Sequence, residues 1–377
     1  MQRRASAAVV EERGGPVRVE PIEIDAPSDG EVLVRIVASG VCHSDIWAIE
    51  HGNWGEPFPM MLGHEGSGIV EEVGELVTTV EPGDPVLLAW AVPCGTCAGC
   101  ARGEPRACAH AWSQPPRIRV ARSGASVKGT LSLGTLATHT MVHAAQAIRV
   151  PDGVDLSRVC LLGCGASTGV GAVVHTAMIR PGATVAVIGI GGIGLSAVQG
   201  ARIAGAARII AVDLVPPKLE VARAVGATDV VDAGARDAVE AVRDLTDGVG
   251  VEAAFEATGV AAVVEQAVAM LTRGGVAVAI GVPTPESEIT LPWGAHAYPN
   301  KIQLRVTDGG DALPEDFLTW MEWFRDGRLD LDALVTREAR LTEDDIAEAF
   351  RAMLAGEVLR TVIRLPDPGA PDPPRAD

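Results

Sequence analysis

The stretch Thr184-Val-Ala-Val-Ile188-Gly189-Ile-Gly191-Gly192-Ile-Gly194 decides the fold of this chain. Its first five residues are apolar or β-branched and predict a short buried strand, and the glycines after them predict a tight turn. The Ala-rich segment that follows predicts a helix. A strand, a glycine turn and a helix in this order form the first part of a βαβ unit.

The same alternation continues beyond this stretch. Further apolar strands are predicted at Arg208–Val212, Val230–Asp232, Val251–Glu256 and Val276–Gly281. Helices are predicted between them, for example at Pro217–Val225 and Ala262–Leu271. Strands that alternate with helices indicate a parallel sheet, so the sequence predicts a doubly wound α/β domain.

The spacing of the glycines is typical of a dinucleotide-binding turn. Gly189 permits the tight turn, Gly191 lets a pyrophosphate approach the backbone, and Gly194 lets the helix pack on the strand. The amino terminus of the helix supplies unpaired N–H groups for the phosphates. Alone the motif is weak and also fits a Gly-rich turn in an ordinary α/β fold. Here it has the strand before it, the helix after it and the acidic residue beyond it that dinucleotide binding requires.

That acidic residue is Asp213, which lies nineteen positions after Gly194 at the end of a second apolar strand. A carboxylate there accepts hydrogen bonds from the adenosine ribose hydroxyls and repels a 2′-phosphate. No arginine follows it directly. The sequence therefore favours NAD over NADP as the cofactor.

The remainder of the chain has a different pattern. Residues 1 to about 165 show short alternating strands with Gly and Pro turns, such as Glu31–Ser39. After Lys301 the pattern predicts two helices, at about 314–326 and 343–355, and a final strand around Val358–Leu365. The tail from Pro366, rich in Pro and Asp, is predicted to be disordered.

A chain of 377 residues is too long for one core, so two domains are expected. We predict a β-rich domain formed by residues 1–165 and 308–377, with a cysteine-rich lobe at about 90–110. A dinucleotide-binding domain, residues 166–307, is inserted between its two parts.

Composition and charge exclude several classes of partner. An apolar content of 47% with 21% charged residues describes a soluble globular protein. The formal net charge of −18 disfavours nucleic acid and anionic membranes, because both repel such a field. No signal peptide or apolar run of about 20 residues is visible. Since thiols that bind metal need a reducing compartment, the cytoplasm is the expected location.

Four cysteines form a cluster with metal-ligand spacing: Cys94, Cys97, Cys100 and Cys108. Four thiolates at spacings of three, three and eight positions can close a tetrahedral shell around one Zn²⁺ and leave no position for substrate. The alternatives are a redox Cys-x-x-Cys pair or a disulfide cluster. The third and fourth cysteines make the redox alternative poor, so a structural zinc ion is predicted.

A second, open metal site has candidates in Cys42, His64 and Cys164. One imidazole and two thiolates leave a fourth position for water or an alcohol oxygen. Spacing alone does not assign residues spread over 122 positions to one metal. By spacing, Cys160 is an equally good candidate, and a lone buried cysteine is more often a small hydrophobic residue.

The motifs Gly40-Val-Cys42-His-Ser44-Asp45, Gly63-His64-Glu65-Gly-Ser-Gly68 and Leu162-Gly-Cys164-Gly-Ala-Ser-Thr168-Gly occur in order with the four-cysteine run and the glycine motif. Together they closely resemble the zinc-dependent medium-chain alcohol dehydrogenases, over the chain to about Leu365. The resemblance implies a GroES-like catalytic domain and a Rossmann coenzyme domain. It implies that Cys42, His64 and Cys164 bind catalytic zinc, that Cys160 does not, and that the four-cysteine run binds structural zinc.

The resemblance also implies roles for neighbouring residues. Catalytic zinc would act as a Lewis acid that lowers the pKa of an alcohol, whose hydride then passes to nicotinamide. Ser44 would take the alcohol proton, Asp45 would bond the far nitrogen of His64, and Glu65 would support the site. The implied cofactor contacts are His43, Thr168, Gly189, Gly191, Gly192, Ile193, Gly194, Asp213, Lys218 and Arg360.

One position departs from the best-known animal members of the family. They carry a histidine five residues after the first zinc-binding cysteine, where this chain has Trp47, and indole cannot relay a proton. Water, His43 or His51 would have to replace it. The resemblance places Trp90 and Leu136 around the substrate, and Trp47, Trp54 and Trp112 are further candidates, although such tryptophans could equally be core residues. Such a pocket suits a bulky or aromatic alcohol.

Two charged segments are further candidates for substrate binding. The basic stretch from Arg117 to Arg122, with Lys128, would suit an anionic substrate, although a solvated loop is the simpler interpretation. Asp308 and Asp311 would favour a polar or cationic substrate.

Two alternatives to a general alcohol dehydrogenase stay open. Short strings such as Gly281-Val-Pro-Thr-Pro-Glu286 resemble an actinobacterial branch that includes mycothiol-dependent formaldehyde and aryl-alcohol dehydrogenases. The runner-up is therefore a formaldehyde dehydrogenase acting on S-hydroxymethyl-mycothiol. The third hypothesis is a non-catalytic dinucleotide-binding protein. The family resemblance also implies a homodimer, or a homotetramer of such dimers.

Overall fold

The computed structural model describes residues 3–52, 57–109 and 117–365. Within these residues the strands, numbered in chain order, are β1 (Arg3–Val10), β2 (Arg18–Ile24), β3 (Glu31–Gly40), β4 (Met60–Met61), β5 (Glu65–Val73), β6 (Pro85–Leu88), β7 (Ile118–Val120), β8 (Ser126–Gly129), β9 (His139–His143), β10 (Ala147–Arg149), β11 (Thr184–Ile188), β12 (Arg208–Asp213), β13 (Asp229–Asp232), β14 (Val251–Glu256), β15 (Leu271–Ala279), β16 (Gln303–Val306), β17 (Val335–Arg340) and β18 (Arg360–Arg364).

The α-helices of the same residues are α1 (His43–His51), α2 (Ala98–Ala101), α3 (Leu156–Val159), α4 (Gly165–Gly171), α5 (Gly192–Ile203), α6 (Pro216–Val225), α7 (Ala238–Leu245), α8 (Ala261–Ala269), α9 (Tyr298–Asn300), α10 (Pro314–Arg325) and α11 (Glu343–Leu354). A π-helical segment, Ala172–Ala177, follows α4 directly. A turn of 3₁₀-helix, Cys160–Gly163, follows α3.

The chain forms two compact units. The first contains the described parts of Met1–Cys164, Leu313–Arg325 and Val335–Asp377, and the second contains Gly165–Ala312 and Asp326–Leu334. This division differs from the predicted one at Gly165 and in two short segments, 308–312 and Asp326–Leu334, all of which pack with the second unit.

Hydrogen bonds explain why Asp326–Leu334 packs with the second unit. The Gln199 side chain donates to the carbonyl of Asp330 at 2.9 Å and accepts from its N–H at 2.6 Å. Arg202 donates to the carbonyl of Arg328 at 2.6 Å. These contacts join residues about 130 positions apart, so the local sequence pattern carries no sign of them.

The first unit contains a closed barrel with strand order β1-β2-β7-β8-β4. Beside it lies a seven-stranded sheet with order β10-β6-β5-β3-β18-β17, in which β9 also pairs with β3. Alternate residues of β3 serve different cores, because side chains of a strand alternate between its faces. Val32, Val34 and Ile36 pack in one cluster, while Leu33 packs in the other with Ile22.

The second unit contains a six-stranded parallel sheet with order β13-β12-β11-β14-β15-β16. The predicted α/β fold is therefore confirmed. The bounds of β11 and β14 coincide with the predicted strands. The helices α10 and α11 and the strand β18 also lie where the sequence predicts them.

The predicted boundary between α8 and β15 is wrong. The strand begins at Leu271, five residues earlier than predicted, because Leu271 pairs with Val251 of β14. The register then shifts, so that Ala253 pairs with Val276. The intervening residues 272–275 form a bulge that the apolar pattern does not reveal.

Among the described residues, no single helix is long and apolar enough to cross a bilayer. The adjoining segments Leu156–Gly163 and Gly165–Ala177 satisfy that criterion only when counted together. The tail from Pro366, Trp54 and Trp112 lie outside the described residues.

Candidate metal and cofactor sites

The four predicted lobe cysteines come together around α2: Cys94 and Cys97 precede this helix, Cys100 lies in it, and Cys108 follows the turn after it. The sulfurs of Cys94, Cys97, Cys100 and Cys108 all lie within 4.8 Å of one another. The Sγ atom of Cys97 is 3.6 Å from that of Cys100 and 3.9 Å from that of Cys108, and all four thiols are free. Disulfide bonds are about 2.05 Å long, so this is a cluster of separate thiols with the donor set of a structural zinc site.

The backbone of the lobe is shaped around these sulfurs. Cys94 Sγ accepts hydrogen bonds from the N–H groups of Thr96 at 3.5 Å and Cys97 at 3.3 Å, and Cys108 Sγ accepts from Cys94 N–H at 3.2 Å. Hydrogen bonds from Thr96 lower the pKa of Cys94 to about 5. A Cβ atom at Gly99 would lie 2.5 Å from the carbonyl oxygen of Ala107, so the turn requires glycine there. The hydrogen bonds to Cys94 favour its thiolate, the form that binds zinc.

The second cluster is buried in the first unit and contains Cys42, His64, Glu65 and Cys164. One ligand atom from each lies within 4.8 Å of the others. Cys42 follows β3 and caps α1, His64 and Glu65 lie where β5 begins, and Cys164 ends the 3₁₀ turn after α3. Cys160 is also buried but lies outside this cluster, with its thiol 3.5 Å from the carbonyl of Ser157.

Asp45 orients the imidazole of His64. Its Oδ1 lies 3.3 Å from His64 Nδ1 and accepts from the N–H of Gly63 at 2.9 Å, and both side chains are fully buried. The other ring nitrogen, His64 Nε2, is buried and has no hydrogen-bond partner among the described residues. A buried, unpartnered nitrogen beside two thiols fits a zinc ligand, because metal coordination would satisfy it.

The thiols and the imidazole influence one another. A hydrogen bond from Cys164 holds the pKa of Cys42 well below that of a free cysteine, although burial opposes this shift. The same hydrogen bond, together with burial, raises the pKa of Cys164. Burial alone would lower the pKa of His64, but the Asp45 carboxylate raises it well above its usual value. The shift at Cys42 favours its thiolate, the form that a metal ion binds.

Glu65 and Arg360 form a buried ion pair next to this cluster. Arg360 Nη1 lies 3.7 Å from Glu65 Oε1 and donates to the carbonyl of Val41 at 3.3 Å. Burial raises the pKa of Glu65 to about 7, while the guanidinium of Arg360 opposes that shift. A Cβ atom at Gly40 would lie 2.0 Å from Glu65 Oε2, so only glycine fits at that position of β3.

The predicted substrate residues of the first unit lie among its core residues. Trp90 is 6% exposed and Leu136 is fully buried, and both belong to the same apolar cluster as Cys42 and Cys164. Trp47, on α1, packs against His51 with ring centroids 5.1 Å apart and the ring planes tilted by 47°. Ser44 Oγ lies 3.7 Å from Cys42 Sγ, and His43 is exposed.

The glycine turn of the second unit has the geometry that the sequence predicts. Gly189 has a φ angle of +89°, and a Cβ there would lie 2.5 Å from Thr258 Cγ2. A Cβ at Gly194 would lie 2.0 Å from the carbonyl oxygen of Gly189. A Cβ at Gly191 would meet nothing within 4 Å, which leaves space for a ligand beside the start of α5. The space and the helix terminus fit a pyrophosphate.

Asp213 ends β12 and ties this turn to the next loop. Its carboxylate accepts from the N–H groups of Ile190 at 2.6 Å and Val215 at 2.8 Å. Lys218 lies in the first turn of α6 and is partly exposed, while Ile193 lies at the start of α5. Thr168, on α4, is 5% exposed, and its hydroxyl has no hydrogen-bond partner among the described residues.

Sequence reasoning missed Glu256, which supports the glycine turn from β14. Its Oε1 accepts hydrogen bonds from the hydroxyl and N–H of Thr258 and from the N–H of Gly259, at 2.9 Å for the last. These bonds hold Thr258 where its methyl group packs on Gly189. An acidic residue that ends an apolar strand just before Ala-Thr-Gly was the available signal.

The basic stretch from Arg117 to Arg122 pairs with carboxylates of the first unit. Arg117 bonds Glu31 at 3.0 Å, Arg119 bonds Asp25 at 2.5 Å, and Arg122 bonds Glu11 and Glu20. Its charge is therefore largely neutralised by neighbouring strands. In the second unit, Thr176 donates to Asp311 at 2.5 Å, and burial together with Asp311 raises the pKa of Asp308.

Two family models match this chain. The Alcohol dehydrogenase GroES-like domain matches residues 28–152, and the Zinc-binding dehydrogenase model matches residues 192–326. Among curated proteins, Alcohol dehydrogenase 1 of Trifolium repens is 35% identical, over 96% of this chain and 97% of its own length. An S-(hydroxymethyl)glutathione dehydrogenase of Escherichia coli O1:K1 / APEC is also 35% identical, over 96% of this chain and all of its own length.

Solved structures agree with these matches. Benzyl alcohol dehydrogenase from Acinetobacter calcoaceticus has a TM-score of 0.88 and 29% identity, covering 97% of this chain and 100% of that chain. A putative zinc-binding dehydrogenase from Sinorhizobium meliloti 1021, bound to NADP, has a TM-score of 0.81 and 26% identity. The match covers 96% of this chain and 100% of that chain. With its two zinc-type clusters, this chain belongs to the zinc-dependent medium-chain alcohol dehydrogenases.

Proposed function

We propose that Cys42, His64 and Cys164 hold the catalytic zinc of an alcohol dehydrogenase that uses NAD. The observation that carries this proposal is the buried donor set, two thiols and an imidazole whose Nε2 has no hydrogen-bond partner among the described residues. Three such ligands leave a fourth position for substrate. Zinc bound there supplies Lewis-acid catalysis, which favours loss of the alcohol proton. Cys94, Cys97, Cys100 and Cys108 would hold the structural ion.

The chain's own residues then position and move the proton. Asp45 would keep the proton of His64 on Nδ1, which would leave Nε2 as the atom that holds the metal. Ser44, whose hydroxyl lies 3.7 Å from Cys42 Sγ, receives the alcohol proton. Trp47 cannot pass it on, so the proton leaves through the cofactor ribose to water, or through His43 or His51. Glu65 and Arg360 supply a fixed ion pair next to the ligands.

NAD is the proposed cofactor because Asp213 stands where a 2′-phosphate would be repelled. The proposed contacts are the glycine turn from Gly189 to Gly194, including Gly192 and Ile193, together with His43, Thr168, Lys218 and Arg360. One structural neighbour binds NADP, so the choice needs a direct test. The ratio of kcat/KM for NAD and NADP should exceed about tenfold and fall in a D213G variant. A ratio below one would contradict this assignment.

The apolar surroundings of the buried cluster support a bulky or aromatic alcohol as substrate. Trp90 and Leu136 share its apolar core, and Trp47 would add a further aromatic wall. The similarity to a benzyl alcohol dehydrogenase agrees with this choice. The second candidate is a formaldehyde–thiol adduct, S-hydroxymethyl-mycothiol, favoured by the 35% identity with S-(hydroxymethyl)glutathione dehydrogenases.

One assay separates these substrates. NADH formation is measured at 340 nm with the zinc-loaded protein, using benzyl alcohol in one arm and formaldehyde with or without mycothiol or glutathione in the other. Oxidation of benzyl alcohol without thiol supports the first proposal. Strict dependence on a thiol supports the second. If protein that contains two zinc ions oxidised neither benzyl alcohol nor the formaldehyde–thiol adduct, both substrate proposals would be contradicted.

A homodimer joined through β16 is the proposed assembly, and a pair of such dimers is the alternative. β16 is the last strand of the parallel sheet, and its Val306 is 76% exposed. Trp293 and Tyr298, just before it, are 68% and 72% exposed. Light scattering should give twice the chain mass, and V306K should give a monomer. The proposed location is the cytoplasm, which cell fractionation would test.

A further inference from the structure

The second unit has an open cavity of about 580 Å³ away from its glycine turn. Ala253, Val276 and Gln303, which pair in one row across β14, β15 and β16, form part of its lining. Segment 177–180 and the bulge at 272–275 complete it. This cavity belongs to the amino-terminal ends of the parallel strands, whereas the glycine turn follows their carboxyl ends.

Three arginines line this cavity against a single carboxylate: Arg180, Arg273 and Arg305 against Glu252. This excess of positive charge stands out in a chain whose formal net charge is −18. Positive groups concentrated in one cavity repel one another unless an anion binds between them.

Two of these arginines have hydrogen-bonding capacity left. The side chain of Arg180 makes no hydrogen bond or ion pair with any residue that the structure describes. The side chain of Arg273 makes only one hydrogen bond within the described residues, to the carbonyl of Pro299. Each guanidinium carries five N–H donors, so most remain available to a ligand.

The other two charged groups are already engaged. Arg305 donates to the carbonyl of Thr176 at 2.5 Å and to Gln303 at 2.9 Å. Glu252 accepts the N–H of Thr184 at 2.8 Å, which fixes the carboxylate at the start of β11. Arg305 therefore contributes charge, while Arg180 and Arg273 can contribute direct contacts.

We propose that this cavity binds a small phosphorylated metabolite whose phosphate lies between Arg180 and Arg273. The planar fork of a guanidinium matches two phosphate oxygens, which makes arginine well suited to this group. A volume of about 580 Å³ is larger than one phosphate needs and leaves room for the organic part.

This site is separate from the proposed cofactor site. Ala183 lines the cavity and Gly189 begins the cofactor turn, six residues further along an extended strand. At about 3.3 Å per residue the two positions are roughly 20 Å apart. A ligand in the cavity should therefore bind without displacing NAD.

The test uses the full-length, zinc-loaded protein with saturating NAD, so that phosphate does not occupy the pyrophosphate position. Ribose 5-phosphate is titrated by isothermal calorimetry, with inorganic phosphate as the minimal probe and ribose as the uncharged control. We expect binding of both phosphates, none of ribose, and weaker binding as the salt concentration rises.

The variants R180E and R273E should each raise the dissociation constant of ribose 5-phosphate at least about tenfold, because each removes charged hydrogen bonds. The matched control is R236E, an exposed arginine that pairs with Asp244 outside the cavity. It should change the constant less than about twofold. The melting temperature without ligand verifies that each variant folds, and R180Q replaces R180E if it does not.

Absence of binding at 10 mM ribose 5-phosphate would overturn the proposal. Equal binding to wild type and to the R180E/R273E double variant would also overturn it, since the phosphate would then bind elsewhere. Competition between ribose 5-phosphate and NAD would likewise assign the phosphate to the cofactor site. Because binding is read by calorimetry with the phosphate ligand, a failure of the proposed alcohol chemistry would leave this result unaffected.

Discussion

The four-cysteine cluster takes all its ligands from residues 94–108, whereas the buried cluster takes its ligands from positions spread over residues 42–164. Cys94 is exposed and its three partners are half-buried, while Cys42, His64 and Cys164 are all buried. A local cluster needs only one short turn to form. The distant ligands meet only after β3, β5 and the turn following α3 have packed.

This difference teaches which kind of site a sequence reveals. The close spacing of the lobe cysteines limits their possible geometry, so these ligands can be predicted from the sequence directly. The buried ligands are brought together by a sheet, and their spacing carries no geometric information. The same difference predicts that substitutions in the two clusters have different consequences.

The largest contrast is expected between C164S and C97S. C164S should lose one of two zinc ions and lower kcat by more than about 10⁴-fold, because the reaction depends on the whole ligand set. NAD binding, followed by NADH fluorescence, should be nearly unchanged. C97S should also lose one zinc ion but chiefly lower the melting temperature, since structural zinc contributes folding energy. If C164S kept both ions and full turnover, the catalytic assignment would be wrong.

The next contrast concerns ion pairs near each cluster. R360L removes the guanidinium that pairs with the fully buried carboxylate of Glu65, which should lower the free energy of unfolding by about 3–5 kcal/mol. R102L breaks the exposed Arg102–Glu104 pair of the lobe, at 2.9 Å, and should cost less than about 1 kcal/mol. Urea unfolding measures both. Equal losses of unfolding free energy in R360L and R102L would show that burial does not distinguish the ion pairs of the two clusters.

A smaller contrast concerns residues that bond to ligands. D45N removes the carboxylate that orients His64 and should lower kcat/KM and zinc affinity by about 10–100-fold. T96V removes the hydroxyl that lies 3.6 Å from Cys94 Sγ in the lobe, and it should leave kcat/KM within about twofold. Steady-state kinetics and competition with a chelator test this pair. An unchanged D45N enzyme would remove Asp45 from the mechanism.

The smallest expected effect separates burial from metal binding. His139 is largely buried near Glu71 and Arg3 but belongs to neither cluster. Burial lowers the pKa of folded His139 below the 6.5 of the unfolded chain. At pH values between the folded and the unfolded pKa, the unfolded chain therefore binds a proton that the folded protein excludes. The free energy of unfolding should therefore fall as the pH drops below 6.5, and less so in H139Q. Urea unfolding at pH 7.5 and 5.5 measures the difference, and identical profiles would contradict it.

Much of the second unit was predictable because its strands are short apolar runs bounded by glycine. β11 and β14 begin and end at the predicted residues. β15 was misplaced because its first residue pairs with Val251 across a register shift that has no sequence signal. Backbone pairing between distant strands decided that boundary.

In the site, the sequence identified the donor types but could not choose between Cys160 and Cys164 by spacing. The structure places Cys164 in the cluster, while the thiol of Cys160 faces the carbonyl of Ser157. Glu256 was missed because its partners Thr258 and Gly259 are its own neighbours, and a turn of that kind looks unremarkable in sequence. The pairing of Arg117, Arg119 and Arg122 with acidic residues also depends on contacts across strands.

The segment Asp326–Leu334 determines how this enzyme can be divided into separately expressed units. The chain leaves the second unit after Ala312 and returns to it for nine residues before ending in the first. A recombinant fragment of residues 165–312 would therefore lack the backbone groups that bind Gln199 and Arg202. Isolating the cofactor-binding half would require a fusion that reattaches residues 326–334 through a short linker.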